Sequence, residues 1–286
     1  EKNIFAVGDE AYEMFEKAPG NIEIVFPMKE GVISRFHDMQ YLLQSILKKK
    51  RRFSMGAKYV VAVPTDVTEV EKRAFFDLVV HSAAKAKEVS IVERALAQGI
   101  GLGIDVKQTR GIMIVDLGAE TTEISVVAMG GLVLNKMLKI GGTTMDNAIS
   151  HLVRRRYDFL IGQLTSEMLR RRFGIFGGDS GTSMSVAGRN LLTGVPQQIE
   201  VPLSLVRAAI RDPLAECVSN IQMMLDRTPP EVLRAIQKNG IYLVGGLSNL
   251  PGLSRYIEEA LGYPVQVTRR PEICTVEGLS KIMTSK

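Results

Sequence analysis

Cysteine is scarce in this chain, which has only Cys217 and Cys274 among its 286 residues. Two thiols cannot form the disulfide framework of a small secreted domain, so a reducing cytoplasm is the expected compartment. Long apolar runs are also lacking, and none in the sequence is long enough to span a bilayer. Charge of one sign is only mildly in excess, with 36 basic and 31 acidic residues, so a net charge of +5 does not indicate nucleic-acid binding.

The composition is ordinary for a globular protein, with 45% hydrophobic and 23% charged residues. The length allows a large core and favours two lobes over one. The chain opens on Glu1, and the text IFAVGDEAY that follows resembles the end of a strand and a turn. We therefore expect that residues upstream of this sequence are missing from it.

Strand and helix patterns alternate along the chain, which predicts an α/β fold. Thr68 and Glu71 have the spacing of a capping box and predict a helix over residues 68–87. Glycines at 130 and 131 predict a β-hairpin. Short apolar runs predict buried strands at 58–63, 111–115 and 241–244. The second half is predicted to contain helices over 143–157, 166–173 and 201–226, with an interruption at Pro213 and a flexible loop over 173–186.

Three junctions place glycines close after a strand and before a turn or helix. They are Asp116-Leu117-Gly118, Gly141-Gly142-Thr143 and Gly245-Gly246-Leu247. Glycine lets backbone N–H groups approach a phosphate, and a helix N-terminus attracts an anion. An acid at the end of a buried strand, such as Asp116, can hold a Mg²⁺-bound water. A plain β-hairpin turn is the alternative at the first junction, but three such junctions indicate a ligand cleft between two lobes.

The order of these motifs resembles the superfamily of actin, heat-shock chaperone ATPases and sugar kinases, and in particular its MreB-like bacterial rod-shape-determining proteins. The similar segments cover nearly the whole chain: IFAVGDEAYEMFEKAPG (4–20), PMKEGVISRF (27–36), VVAVPTDVTEVEKR (60–73), 114–127, 140–148, 157–167, GRNLLTGVPQQIE (188–200), RTPPE (227–231) and 240–253. The resemblance implies an actin-like, two-lobed α/β ATPase fold with mixed sheets flanked by helices. We predict a first lobe over 1–140, a second, nucleoside-contacting lobe over 141–240 and a return to the first lobe over 241–286.

The resemblance also implies a site for ATP and Mg²⁺. Ten positions match the nucleotide-binding residues of the family: Asp116, Gly118, Thr121, Thr122, Gly141, Gly142, Glu167, Arg170, Gly245 and Gly246. Asp116 would bear on Mg²⁺ through a water, and Glu167 matches an acid that contacts adenosine. Arg170 stands where the family usually has Lys.

Several positions depart from the family pattern. Ala119 and Glu120 replace glycines of the phosphate turn, and a carboxylate there repels phosphate unless its side chain turns away. Leu247 replaces a further glycine of the last motif. The family's water-orienting Glu falls on Arg94, which cannot act as a base because arginine stays protonated. The family's first phosphate loop is absent from this sequence. We therefore assign no catalytic residue and expect weak or no ATP hydrolysis.

A basic run leads into two apolar residues, with Lys50, Arg51 and Arg52 followed by Phe53 and Met55. A solvated basic loop is one interpretation. Apolar tips among basic residues also suit an anionic bilayer surface, and the MreB-like family places a membrane-inserting loop here. We predict that this segment contacts the inner leaflet of the cytoplasmic membrane.

Two classes of function remain open at this point. The first is a cytoskeletal protein that polymerises with itself or paralogues into membrane-attached filaments, helps to determine cell shape and organises the wall-synthesis machinery. The second is a regulatory pseudo-ATPase or a small-molecule kinase of the same superfamily. A kinase would have no evident use for the motifs RTPPE and GRNLLTG, or for Arg94 at the catalytic position. The sequence therefore favours the first class.

Overall fold

The computed structural model describes residues 4–49, 56–82, 86–175 and 181–284. Its helices are α1 (Asp9–Glu13), α2 (Phe36–Lys49), α3 (Glu69–Val80), α4 (Arg94–Gly101), α5 (Gly142–Tyr157), α6 (Gln163–Phe173), α7 (Leu203–Arg227), α8 (Pro230–Asn239), α9 (Leu253–Leu261) and α10 (Cys274–Thr284). Its strands are β1 (Met28–Lys29), β2 (Val32–Ile33), β3 (Lys58–Val63), β4 (Glu88–Glu93), β5 (Ile112–Leu117), β6 (Thr122–Ala128), β7 (Gly131–Leu138), β8 (Phe159–Leu160), β9 (Ser183–Asn190), β10 (Pro196–Pro202), β11 (Ile241–Val244) and β12 (Val265–Val267).

The largest sheet has five strands in the order β12-β11-β5-β6-β7. β11 runs parallel to β5 and β12, whereas β5, β6 and β7 form an antiparallel meander. The predicted hairpin is confirmed, because β6 ends at Ala128 and β7 begins at Gly131. All residues of β5 and β6 are buried, so the sheet is covered on both faces.

The period-two alternation of β5 divides its side chains between two hydrophobic clusters. Met113, Val115 and Leu117 pack into the larger cluster, which extends through helices α5, α7 and α9. Ile112 and Ile114 pack into the smaller cluster, which contains α4 and the start of α10. Burying apolar side chains on both faces makes β5 the centre of the core, and β5 ends at the predicted cleft.

The larger cluster bears on the predicted lobe boundary. It joins side chains from Met113 through Leu138 to side chains from Ile140 through Ile257. The predicted division at residue 140 therefore falls inside one continuous core. The side chains of residues 113–138 therefore pack in the same core as those of residues 140–257.

After residue 240 the chain packs against two earlier elements, β5 and α4. β11 pairs with β5 in the central sheet. α10 then packs on α4 at very close range, since a Cβ placed on Gly278 would lie 1.7 Å from the carbonyl oxygen of Ala97. Only glycine permits this approach of two helix backbones, and it holds the short helix α4 in place.

The capped helix begins as the sequence predicts and ends earlier. The Thr68 hydroxyl accepts from the backbone N–H of Glu71, and the Glu71 carboxylate accepts from the backbone N–H of Thr68, which confirms the capping box. The helix stops at Val80 rather than near residue 87, because the chain must reach β4 at Glu88 to pair parallel with β3.

One prediction for the second half is wrong, and another differs in its bounds. Pro213 does not interrupt α7, which runs continuously from Leu203 to Arg227. Proline removes one backbone hydrogen bond, but buried side chains on both sides, including Ile210 and Leu214, hold the helix against the core. The loop predicted over 173–186 contains the end of α6 and the start of β9, while residues 176–180 lie outside the described part.

Among the described helices, none combines the length and the apolar character needed to cross a membrane.

Candidate functional site

The three glycine junctions singled out by the sequence are adjacent in space. Val244 pairs with Asp116 across β11 and β5, and a Cβ on Gly245 would lie 2.3 Å from Oδ1 of Asp116. The N–H of Gly142 donates to the carbonyl of Gly118 at 3.1 Å. The ends of β5 and β11 and the start of α5 thus converge on one place, as expected for a shared cleft.

A cavity of about 290 Å³ opens at this convergence. Five of the ten predicted nucleotide-binding residues line it: Gly118, Gly142, Glu167, Arg170 and Gly246. Its other lining residues are Ala119, Arg171, Leu247, Asn249 and Leu250. The replacements Ala119 and Leu247 therefore face the cavity itself, where a family glycine would leave more room. A Cβ on Gly246 would meet nothing closer than 4.0 Å, so this glycine faces open space.

The other predicted residues do not line this cavity. Thr122 is fully buried, and its hydroxyl donates to the carbonyl of Ile140 at 2.8 Å. Its hydroxyl is therefore occupied within the protein and does not face the cavity. Thr121 is also buried in the turn, and Asp116 and Gly245 pack against each other.

The start of α5 differs from the anion site that its glycines predict. A Cβ on Gly141 would lie 2.6 Å from the carbonyl oxygen of Ala119, so this glycine is needed for packing against the turn of residues 118–121. The first helical N–H groups donate to that turn: Gly142 to Gly118, and Thr143 to Ala119 at 2.7 Å. Because these donors are already used, this helix N-terminus does not offer them to a phosphate.

On one side of the cavity, Arg170 makes a buried ion pair with Asp146. Nε of Arg170 donates to Oδ1 at 2.7 Å, and Nη2 donates to Oδ2 at 3.1 Å. Both side chains are less than one-tenth exposed. Burial raises the pKa of Asp146 above its ordinary value, and the two hydrogen bonds from Arg170 oppose that rise. This bidentate pair joins α5 to α6 and orients the arginine that faces the cavity.

Glu167 connects the cavity to the N-terminal part of the chain. One of its carboxylate oxygens accepts from the hydroxyl of Tyr12 at 3.1 Å, and the other lies 2.6 Å from Nη2 of Arg171. Sequence reasoning identified Glu167 but missed Tyr12 and Asp146. The only sequence signal for Asp146 is its place one turn into a glycine-started helix, and Tyr12 carries no such signal.

On the other side of the convergence, Arg94 begins α4 and faces two carboxylates. Nη1 of Arg94 donates to Oδ2 of Asp116 at 3.3 Å, and Nε lies 3.7 Å from Oε2 of Glu123. Gln98, one turn further along α4, donates from Nε2 to the same Oδ2 at 2.7 Å. The position of the family's catalytic Glu thus holds a cation paired with the predicted Mg²⁺-associated acid.

Glu123 is the second acid that sequence reasoning missed as part of the site. It is 1% exposed, and its Oε1 accepts from the backbone N–H of Thr65 at 3.0 Å. Burial raises the pKa of Glu123, and the charge of Arg94 opposes this shift. The alternation of β6 could have drawn attention to it, because a charged residue between Thr122 and Ile124 must point into a buried sheet face.

The carboxylate of Glu120 turns away from the phosphate side. Its Oε2 accepts from the backbone N–H of Glu30 in the β1–β2 turn at 2.6 Å. The sequence allows an anion to approach only if this side chain turns away. The contact with Glu30 shows that it does. The same contact ties the phosphate turn to the β1–β2 hairpin.

The residues present fit a nucleotide better than they fit Mg²⁺. The cavity combines small residues with two arginines, Arg170 and Arg171, and one acid, Glu167, so its lining has one positive charge in excess for an anionic ligand. Asp116, in contrast, already accepts two hydrogen bonds on one oxygen and faces the Arg94 guanidinium. Within the described ranges, no group of three His, Cys, Asp or Glu residues could hold a metal ion. The predicted Mg²⁺ role of Asp116 does not agree with this geometry.

The predicted membrane-contact residues Lys50, Arg51, Arg52, Phe53 and Met55 lie outside the described residues. Their membrane role stays a prediction from the sequence.

Comparison with known proteins adds independent information. A family model described as MreB/Mbl protein matches residues 1–286. The cell shape-determining protein MreB of Escherichia coli (strain K12) is 36% identical over 286 residues, covering 99% of this chain and 82% of that protein.

Solved structures agree with this assignment. MreB5 of Spiroplasma citri bound to AMPPNP superimposes with a TM-score of 0.93 at 27% identity, covering 99% of this chain and 85% of that one. The MamK double helical filament has a TM-score of 0.82 at 21% identity, covers 98% and 86%, and shows likeness of fold. These matches confirm the predicted actin-like α/β fold, and the chain belongs to the MreB/Mbl family.

Proposed function

We propose that this protein is a cell-shape-determining cytoskeletal protein that polymerises into filaments at the inner face of the cytoplasmic membrane and helps to organise wall synthesis. The observation that carries the proposal is the family match over residues 1–286, together with 36% identity to a protein named for cell-shape determination. Self-association with copies of itself or with paralogues is the mechanism that an actin-like fold supports, through a heterologous contact that does not close on itself.

The cleft adds a nucleotide to this proposal. A solved relative, MreB5 of Spiroplasma citri, was bound to AMPPNP. The 290 Å³ cavity, with Arg170 and Arg171 in its wall, supports nucleotide binding by this chain as well. Hydrolysis is proposed to be weak or absent, because Arg94 cannot orient or deprotonate an attacking water.

Polymerisation and turnover are tested in parallel on protein that includes any upstream residues. We expect light scattering and electron microscopy to detect filaments, while phosphate release stays well below that of the Escherichia coli relative measured in the same assay. The double variant Arg94→Glu, Glu120→Gly should recover part of the hydrolysis. Protein that stays monomeric with nucleotide, anionic lipid and a paralogue would reject the cytoskeletal proposal in favour of a regulatory pseudo-ATPase.

Membrane attachment is tested separately with liposomes containing anionic lipid. Co-sedimentation of the wild type should fall strongly in a variant with Phe53→Ser and Met55→Ser, because the apolar contribution to interface binding is lost while the basic run remains. A variant with Lys50, Arg51 and Arg52 changed to Gln measures the electrostatic contribution, worth about 1 kcal/mol per basic residue. Equal sedimentation of the wild type and the Ser variant would contradict membrane insertion.

A further inference from the structure

The charged cluster at the start of α4 contains more negative than positive charge. Asp116 and Glu123 are both largely buried, and Arg94 is the cation that contacts both. Two neighbouring buried carboxylates repel each other unless a cation lies beside them. The identity of that cation also affects whether an anion can bind nearby.

One oxygen of each carboxylate accepts hydrogen bonds from the protein. Oδ2 of Asp116 accepts from Gln98 and Arg94, and Oδ1 packs against the backbone of Gly245. Oε1 of Glu123 accepts from the N–H of Thr65, and Oε2 accepts no hydrogen bond within the described structure and faces Nε of Arg94. The guanidinium thus stands between the two acids.

A divalent cation would have to displace this arrangement. Mg²⁺ requires near-octahedral oxygen ligands at about 2.0–2.1 Å and is reluctant to lose its waters. At this cluster it would also lie beside a permanent positive charge, which repels it. The β1–β2 turn restricts the space further, since a Cβ on Gly31 would lie 3.9 Å from Nη2 of Arg94.

We propose that Arg94 is a built-in counter-ion that takes the place of a divalent metal beside Asp116 and Glu123, so that this chain binds nucleotide phosphates without Mg²⁺. Arg94 offsets part of the negative charge that would otherwise repel phosphates near Gly118, two residues beyond Asp116. The proposal rests on the nucleotide site proposed above, but the metal part of it can be measured without nucleotide.

The first experiment uses Mn²⁺ alone as a spectroscopic probe of divalent-cation binding, followed by electron paramagnetic resonance. The wild type should show no site that depends on Asp116. Arg94→Gln should acquire one Mn²⁺ per chain, and the added change Asp116→Asn should remove it. Arg73→Gln, which removes an exposed ion pair with Asp77, is the matched control and should acquire none.

Two results would overturn the counter-ion role: a Mn²⁺ site in the wild type that Asp116→Asn abolishes, or no Mn²⁺ site in a folded Arg94→Gln protein. Circular dichroism and urea unfolding establish that each variant is folded. Should Arg94→Gln fail to fold, Arg94→Met provides the same test. Its side chain is uncharged, so it should bind Mn²⁺ measurably, and its failure to do so would count against the role. Arg94→Lys keeps the positive charge and should bind none.

The second experiment measures binding of fluorescent ADP in EDTA and in excess Mg²⁺. The dissociation constant of the wild type should change less than twofold, whereas Arg94→Gln should bind at least tenfold more tightly when Mg²⁺ is present. A tenfold Mg²⁺ dependence in the wild type would overturn metal-free binding. Absence of nucleotide binding under both conditions would reject the nucleotide site itself, while the Mn²⁺ result still decides the role of Arg94.

Discussion

Two arginines flank the candidate site, and they hold their acidic partners differently. Arg170 makes a bidentate, hydrogen-bonded pair with Asp146, at 2.7 and 3.1 Å, and Glu167 is a more distant second acid at 3.9 Å. Arg94 is divided between Asp116 and Glu123, at 3.3 and 3.7 Å, and is twice as exposed as Arg170. We call the bidentate Arg170 pair saturated, because both acceptor oxygens are used and two helices are held rigidly together. We call the Arg94 pair divided, because one arginine is shared between two acids at longer distances and can still interact with a ligand.

The largest effect is expected on the saturated side. Arg170→Leu leaves Asp146 buried without its cation, and we expect the free energy of unfolding to fall by about 3–5 kcal/mol. Urea denaturation monitored by circular dichroism measures it. The control is Arg171→Leu, which removes a largely exposed arginine from Glu167 and should cost less than about 1 kcal/mol. Equal losses of unfolding free energy in the two variants would show that the buried pair contributes no more to stability than the exposed one.

A smaller loss of stability is expected on the divided side. Arg94→Gln removes long contacts, and Asp116 keeps its hydrogen bond from Gln98, so we expect a loss of about 2 kcal/mol. The same denaturation assay measures it, with Arg73→Gln as the exposed control. The comparison fails if Arg94→Gln destabilises the protein more than Arg170→Leu does.

The smallest effect concerns pH. The pKa of Glu123 is higher in the folded protein than its ordinary value of 4.5, so the folded state binds the proton more tightly than the unfolded state does. That contribution to stability is fully present below about pH 4.5 and is lost as the pH rises through the folded pKa. The glutamine in Glu123→Gln does not titrate, so this variant does not lose that contribution. The difference between its melting temperature and that of the wild type should therefore increase as the pH rises above 4.5.

Scanning calorimetry between pH 4.5 and 8 measures this difference. Glu88→Gln is the control that should show no change over this range, because contact with Lys58 lowers the pKa of Glu88 and its titration therefore lies below pH 4.5. A difference for Glu123→Gln that stays constant over the range would mean that the carboxyl group titrates alike in the folded and unfolded states.

Local signals in the sequence were sufficient for much of the fold. The capping box at Thr68 and Glu71 and the hairpin at Gly130 depend on residues a few positions apart, so spacing alone identifies them. The family resemblance supplied the order of the elements and five residues that line the cavity. Pro213 misled the prediction because tertiary packing of α7 outweighs the local cost of proline.

The charge pairs could not be predicted in the same way. Arg94 and Asp116 lie on different elements, and the sequence gives no measure of which donors surround a carboxylate. The resemblance placed Mg²⁺ at Asp116, whereas the structure places the arginine there, because an arginine at the start of α4 is directed towards the end of β5. The core shared by residues on both sides of position 140 could not be predicted for a related reason, since packing between distant segments leaves no local mark in the sequence.

The close packing of α10 on α4 has a consequence for synthesis of the protein. α4 has eight residues, too few to be stable alone, and its packing partner begins at Cys274, 176 positions after Gln98. The chain leaves the ribosome from its N-terminus, at about 5–20 residues per second. The arginine that serves the two acids therefore acquires its final position only when the C-terminal helix has emerged. A nascent chain stalled before residue 274 should carry a nearly complete central sheet whose acidic cluster is not yet closed.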